Sequence, residues 1–490
     1  MTRRTDDDGI TLVGGGIMSL TLGVLINEIF PNYPINLIER LGDISLESSS
    51  ALNNAGTGHA GYCELNYTPQ NKNGEINISR AININEMFEN SLELWAYLES
   101  KYKSFDCKKF LKKTPHISFV KGDKNIKFLK SRFESLKKQP LFKEIEFSDD
   151  PKIINQWAPL LNFKDKKKET FAATKVEHGA DINFGEVSRQ LLNLLKKNKN
   201  FHLYTHTNVE KISIQKDGLI NLEIKNLINK GILGIKSNKI FIGAGGQSIP
   251  LLQKMGLKEA NGYAGFPVSG KWLMCDNKAI VRKHNAKVYS QAFDNAPPMS
   301  IPHLDLRAIN GKQSLLFGPF AGFTFKFLKQ GSNLDLPKSV KINNIRSLIV
   351  VFLKNLPLLI YLIKQSFMNH SSRMKQLRFF YEDAKDSDWK LLDAGKRVQI
   401  IKNCPFEGSK LEFGTEVIFS KNKTIAALIG ASPGASVSAN AMGNVLIGMF
   451  GKETHKDLKK IISSFGSDLN SSAKKVATFR SRIYKQLGLW

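Results

Sequence analysis

Cysteine is scarce: Cys63, Cys107, Cys275 and Cys404 are the only four in 490 residues, and no two form a C-x-x-C pair. That spacing suits neither a zinc site nor a dense disulfide framework, so no metal site is expected and reduced thiols in the cytoplasm are. An apolar leader is missing too. The first residues, MTRRTDDDGI, put three aspartates after an arginine pair, so no signal peptide is expected. Long uninterrupted hydrophobic runs are also absent. The most apolar stretch, SLIVVFLKNLPLLIYLI at 347–363, is broken by Lys354, Asn355 and Pro357, whereas a spanning helix needs about 20 mostly apolar residues. Two readings of it stay open. It is a kinked core helix, or a surface helix pair dipping into a membrane interface between Lys341, Arg346, Lys364 and Arg373.

Acidic residues are in deficit, with 44 Asp and Glu against 71 Lys and Arg, a formal net charge of +27. This sign points to an anionic partner such as lipid headgroups, nucleic acid or a polyacid. Lysine-rich runs such as KDKKKE and KKNKN raise the charge equally well without any selected partner. Neither repeats nor low-complexity segments are present. At 42% hydrophobic residues the chain is globular, and its length exceeds what one compact core absorbs, so two domains are expected, or one large nucleotide-binding domain carrying an inserted second layer.

What is present begins with a strand–turn–helix–strand pattern: ITLVGGG, then IMSLTLGVLINEIF with apolar residues at helical spacing, then YPINLIER. Gly14, Gly15 and Gly16 occupy the turn, where only residues without a Cβ let the backbone approach a pyrophosphate at a helix N-terminus. Ser19 stands at the last fingerprint position. Glu39 ends the second strand, placed to accept both hydroxyls of an adenosine ribose and to repel a ribose phosphate, which disfavours NADP; Arg40 follows it. Two more glycine turns follow short apolar strands, KIFIGAGGQS with Gly243, Gly245 and Gly246, and IAALIGASPGAS with Gly430, Ser432, Gly434 and Ser436. A flavin dinucleotide needs such extra turns, because its ring extends past the pyrophosphate and needs further amides and a helix start. FAD is the expected cofactor. The small-residue loop SSSALNNAGTGHAGYCELNYTP, with Asn53, Asn54, Gly56 and Gly58, suits backbone wrapped round a ligand.

At ten ordered blocks, among them NNAGTGHAGYCELNYTP, GADINFG, GFPVSGKWL, APPMSIPHLDLR, LLFGPFAGF, AGKRVQIIK and LIGASPGAS, the chain resembles the bacterial malate:quinone oxidoreductase family. A weaker similarity, at NNAGTGHAG, FPVSG, PHLDLR and FGPFAG, is to FAD-dependent 2-hydroxyacid dehydrogenases such as L-2-hydroxyglutarate dehydrogenase. The resemblance implies an α/β protein: a glutathione-reductase-type FAD-binding Rossmann domain with an inserted α+β substrate domain on a mixed sheet. The expected division is 1–70, 178–260 and 396–455 for the FAD domain, 71–177 and 261–395 for the substrate domain, and 456–490 as a basic tail. It further implies L-malate as substrate, a membrane quinone as acceptor in the citric acid cycle, peripheral attachment to an anionic inner membrane face, and no specific nucleic acid.

Oxidising a secondary alcohol at a flavin requires a base for the hydroxyl proton and cations for the carboxylates. In IPHLDLR read as a strand, His303, Asp305 and Arg307 share one face. His303 then takes the proton, Asp305 orients it or pairs with Arg307, and Arg307 clamps a carboxylate. His59 in the small-residue loop is the alternative base. Lys287, Tyr289 and His116 are expected to contact substrate, with Arg397 beside them.

Overall fold

The computed structural model describes residues 9–161, 170–215, 218–291, 301–404, 408–430 and 434–490. Strand Ile10–Val13 is buried throughout, as a strand covered on both faces must be. It lies parallel to Ile35–Ile38 on one side and Lys239–Ile242 on the other, with Ile10 opposite Ile35 and Lys239. The six-stranded sheet runs Thr415–Phe419, Ile425–Gly430, Lys239–Ile242, Ile10–Val13, Ile35–Ile38 and Phe201–Tyr204, antiparallel only at the first pair. The three glycine turns, some 400 residues apart at the extremes, therefore leave the carboxyl ends of three adjacent strands, where open α/β sheets bind their ligands.

Helix Ile17–Ile29 follows the first turn and buries ten consecutive residues, Ile17 to Ile26, because it is covered by helices Phe184–Leu195 and Ser438–Phe450 as well as by the sheet. A second, nine-stranded sheet runs Gly408–Glu412, Lys390–Cys404, Ala264–Cys275, Lys312–Phe323, His303–Ile309, Lys287–Tyr289, His116–Lys121, Phe171–Val176 and Glu146–Ser148. It is mixed, since Lys287–Tyr289 lies parallel to His116–Lys121 while the other pairs are antiparallel. This is the α/β architecture with a mixed second sheet that the sequence predicts.

The expected boundaries shift in three places. Strand Lys390–Cys404 belongs whole to the second sheet, so a division between 395 and 396 cuts through it. Helix Ser79–Lys101, assigned by sequence to the substrate half, packs on helix Ser438–Phe450 within the core of the six-stranded sheet. Residues 456–490 are not a loose tail: helix Ala473–Leu487 buries Val476, Phe479, Ile483 and Leu487 in that same core. Their spacing of three, four and four residues makes one apolar face, and the lysines take the other.

The apolar stretch forms two helices, Ile345–Lys354 and Leu356–Ser366, bent by 79° at Asn355. Among the described residues no single helix is long and apolar enough to cross a membrane.

Candidate functional site

A cleft of about 540 Å³ opens at the carboxyl ends of the central strands, lined by all three glycine turns and by the 45–59 loop. Gly14 is dictated by space and by backbone: its φ is +97°, and a Cβ would stand 2.7 Å from the Gly243 carbonyl. Glu39 receives hydrogen bonds from the Gly15 amide at 2.7 Å and the Leu41 amide at 2.8 Å, one on each carboxylate oxygen. Burial raises its carboxyl above the ordinary value even against those two bonds. Each oxygen keeps a lone pair, so the carboxylate can still accept a vicinal diol. The following helix has Gly16 at its N-cap and the Ile17 amide donating to Ser49 Oγ at 3.1 Å, and its dipole end opens on the cleft. An elongated dinucleotide fits this cradle.

Gly14, Gly15, Gly16, Glu39, Arg40, Asn53, Asn54, Gly56, Gly243, Gly245, Gly246, Gly430, Gly434 and Ser436 all line the cleft. Asn53 and Asn54, however, spend their amide donors inside the loop, on the carbonyls of Leu46 and Glu47 and of Ser48 and Ser50. Two residues assigned to the cofactor face elsewhere. Ser19 is fully buried beneath the second turn, where a Cβ on Gly243 would meet its Oγ at 2.4 Å; its smallness serves close helix–turn packing. Gly58 packs against Phe88, Ala180 and Ile182. Ser432 lies outside the described residues.

Two imidazole–carboxylate pairs lie one at the cleft wall and one behind it. The His59 Nδ1 bonds Glu64 Oε1, and His59 itself lines the cleft. Burial raises Glu64, but the hydrogen bond and charge of His59 outweigh it and hold the carboxyl below its ordinary range. The loop is pinned to the end of the C-terminal glycine turn: Ser436 Oγ accepts from the His59 amide at 3.1 Å and donates to the Thr57 carbonyl at 2.9 Å. The second pair is the predicted one. His303 Nδ1 lies 2.7 Å from Asp305 Oδ2, as two residues on one strand face should. His303 does not line the cleft; it stacks on Tyr289 at 4.2 Å with the rings parallel. Tyr289 in turn shares a 2.7 Å hydrogen bond with Thr57, which is on the cleft wall. Burial raises Asp305, while His303 and Lys287 more than offset it.

Arg307 and Lys287 are not the free carboxylate forks that strand alternation implies. Both are fully buried. Arg307 is paired with Asp181 and donates to the carbonyls of Ile182 at 3.1 Å and Ala51 at 2.8 Å. Lys287 sits 2.9 Å from Asp181, 3.9 Å from Asp305, and donates to the Ala55 carbonyl at 2.8 Å. Two cations and two carboxylates balance here, which is the condition for burying any of them; together they tie the 51–56 loop to the second sheet. His116 is likewise buried away from the cleft, with its Nε2 3.2 Å from the Ala180 carbonyl. Burial pushes it down to about 4.

Of the cations that line the cleft, Arg397 comes from strand Lys390–Cys404 of the second sheet. Its guanidinium has no hydrogen-bond or ion-pair partner among the described residues, and burial lowers its pKa. Tyr67 lies nearby, felt electrostatically by Arg397 and by Arg80, whose guanidinium carbon stands 4.9 Å over its ring. From the sequence Arg397 ranks below Lys287 and Tyr289, and Glu64, Tyr67 and Asp181 do not stand out. The only signal for Glu64 is its spacing of five from His59. None exists for Asp181, whose partner Arg307 is 126 residues away.

Comparison with known proteins matches residues 6–489 to the family model described as malate:quinone oxidoreductase. The chain is 49% identical over 481 residues to a probable malate:quinone oxidoreductase of Tolumonas auensis, covering 96% of each. It is 46% identical to one of Hahella chejuensis, covering 98% of each. Among solved structures it is similar in fold to the L-alpha-glycerophosphate oxidase of Mycoplasma pneumoniae with FAD bound, with a TM-score of 0.58, 14% identity and coverage of 91% and 95%. The glycine oxidase of Geobacillus kaustophilus gives a TM-score of 0.57 at 13% identity, covering 90% and 93%.

Proposed function

The chain belongs to the malate:quinone oxidoreductase family, and from that premise we propose how its residues perform the family reaction. It is an FAD-dependent enzyme that oxidises malate to oxaloacetate and passes the electrons to a quinone. FAD supplies the two-electron acceptor for the hydride on the alcohol carbon. We assign the pyrophosphate to the Gly14–Gly16 turn, the adenosine ribose to Glu39, and the remaining length of the dinucleotide to the turns at Gly243–Gly246 and Gly430–Ser436.

The base is His59, with His303 in support, the reverse of the order that the strand pattern favours. Glu64 fixes the Nδ1 proton of His59 and leaves Nε2 as the acceptor for the substrate hydroxyl proton. The carboxylate behind the ring then stabilises the imidazolium that forms. Arg397 holds one malate carboxylate in a bidentate pair. His303, through its stack on Tyr289 and the Tyr289–Thr57 hydrogen bond, positions the cleft wall.

One observation carries this reading: the cleft wall presents an imidazole backed by a buried carboxylate together with a guanidinium that no described residue pairs. We infer further that the quinone is met at a membrane surface, which the +27 charge favours. Steady-state turnover with a water-soluble quinone analogue tests the substrate assignment. L-malate should be oxidised in preference to lactate, which has one carboxylate, and to 2-hydroxyglutarate, which is one carbon longer. Faster turnover of either would overturn the assignment of a dicarboxylate to the cleft at Arg397.

A further inference from the structure

The most anomalous surface on the molecule is the bent helix pair. Ile342, Ile345, Ile349, Leu353, Leu356, Ile360, Ile363 and Phe367 are all exposed, Ile342 at 99%, Phe367 at 84% and Leu353 at 67%. The order is regular. In the first helix Ile345, Ile349 and Leu353 follow at intervals of four, one outward row, while Leu348 and Val351 face inward and Phe352 packs on Phe266 and Phe323. In the second, Leu356, Ile360, Ile363 and Phe367 make the outward row and Leu362 is buried. A helix that is apolar on both faces must cover its outer one.

Along the chain, the charge within this segment has one sign. From Leu336 to Tyr381 the sequence contains no Asp or Glu. Lys338, Lys341, Arg346, Lys354 and Lys364 border the rows and are exposed. Apolar side chains ringed by cations, with no anion between, are complementary to a lipid leaflet bearing anionic headgroups. A soluble partner or a second copy would bring the same apolar face but not that charge: a second copy would place lysines against lysines. Ten and eleven residues make helices of roughly 15 Å each, too short to span a bilayer core of about 30 Å, so the pair lies in the interface. The surface is also continuous with the site. Leu328, Gly331, Ser332 and Asp335, just ahead of the pair, line the cleft, and the first helix packs on the strand that carries Arg397.

We propose that Ile342–Phe367 is the surface by which the enzyme seats on an anionic phospholipid leaflet, with the apolar rows among the acyl chains, the lysines at the headgroups, and the cleft held next to the membrane pool of quinone. The proposal rests on the reading that the acceptor quinone is met at a membrane, and it assigns the segment that meets it.

The test is co-sedimentation of the FAD-loaded enzyme with phosphatidylcholine vesicles, with and without phosphatidylglycerol, using the wild type and the paired substitutions Ile349→Glu with Leu353→Glu and Ile360→Glu with Phe367→Glu. These side chains are exposed, so the fold should persist. Wild type should bind the phosphatidylglycerol vesicles more than tenfold better than the neutral ones and release them in high salt. Each pair should lose at least tenfold in binding and in turnover with a long-chain quinone dissolved in the vesicles, with malate turnover on a soluble quinone analogue unchanged. Variants that bind as tightly as wild type would overturn the proposal. So would a wild-type dimer that fails to bind vesicles and that these substitutions dissociate. Absence of malate turnover with either acceptor would instead count against the catalytic reading, leaving vesicle binding to decide the surface.

Discussion

Gly56 and Arg307 occupy one space: a Cβ on Gly56 would stand 1.3 Å from the Arg307 Nη1. The φ of Gly56 is +60°, so glycine is favoured there twice over. The cleft-lining loop and the buried Arg307–Asp181 pair are thus built against each other. Gly56→Ala should push the guanidinium off Asp181, and disrupting a buried pair costs about 3–5 kcal/mol. The expected outcome is a protein with lowered Tm that loses flavin on gel filtration, checked by the flavin-to-protein absorbance ratio. Full flavin retention at the wild-type Tm would show that the loop does not depend on this contact.

Arg397→Met should raise the malate KM by roughly 10- to 100-fold, the worth of a charge-assisted pair, with a smaller effect on kcat. Arg307→Met, by contrast, should lower stability and flavin content rather than act selectively on KM. Steady-state kinetics and thermal melts on both variants separate the two roles.

The glycine turns and Glu39 were readable in the sequence because strand, turn and helix are local patterns, and the cradle they form is where the sheet order brings them. The His303–Asp305 pair was readable for the same reason, as alternation along one strand. What alternation cannot supply is the residue standing opposite: Asp181, from a distant strand, claims Arg307 and Lys287 and turns two expected substrate ligands into scaffold. Ser19 departs from the fingerprint because the position is read by the neighbouring turn at Gly243 rather than by the ligand. The C-terminal helix was read as a basic tail because its lysines dominate the composition. Its buried Arg480 in fact donates to the Tyr62 hydroxyl at 2.9 Å and the Leu141 carbonyl at 2.8 Å.

Acid should destabilise the protein in a window set by buried histidines. Burial pushes His116 and His284 down to about 4 from an ordinary 6.5. As pH falls from 6.5 towards 4, the unfolded chain takes up protons at these sites and the folded chain does not, so stability drops; above that window their contribution is constant. The loss is on the order of a few kcal/mol per site. Thermal melts between pH 4 and 7 should show a shallower slope for His284→Gln, which lies outside the cleft, than for wild type. Equal slopes would exclude His284 as a source.

Proton removal from the malate hydroxyl falls to His59. Anaerobic mixing of the FAD-loaded enzyme with L-malate, followed by flavin absorbance, tests it most directly. His59→Gln should slow bleaching by about 100-fold or more at saturating malate with little change in the malate concentration needed, while His303→Gln slows it far less. Bleaching by His59→Gln at the wild-type rate, or a larger loss in His303→Gln, would mean that His59 is not the base.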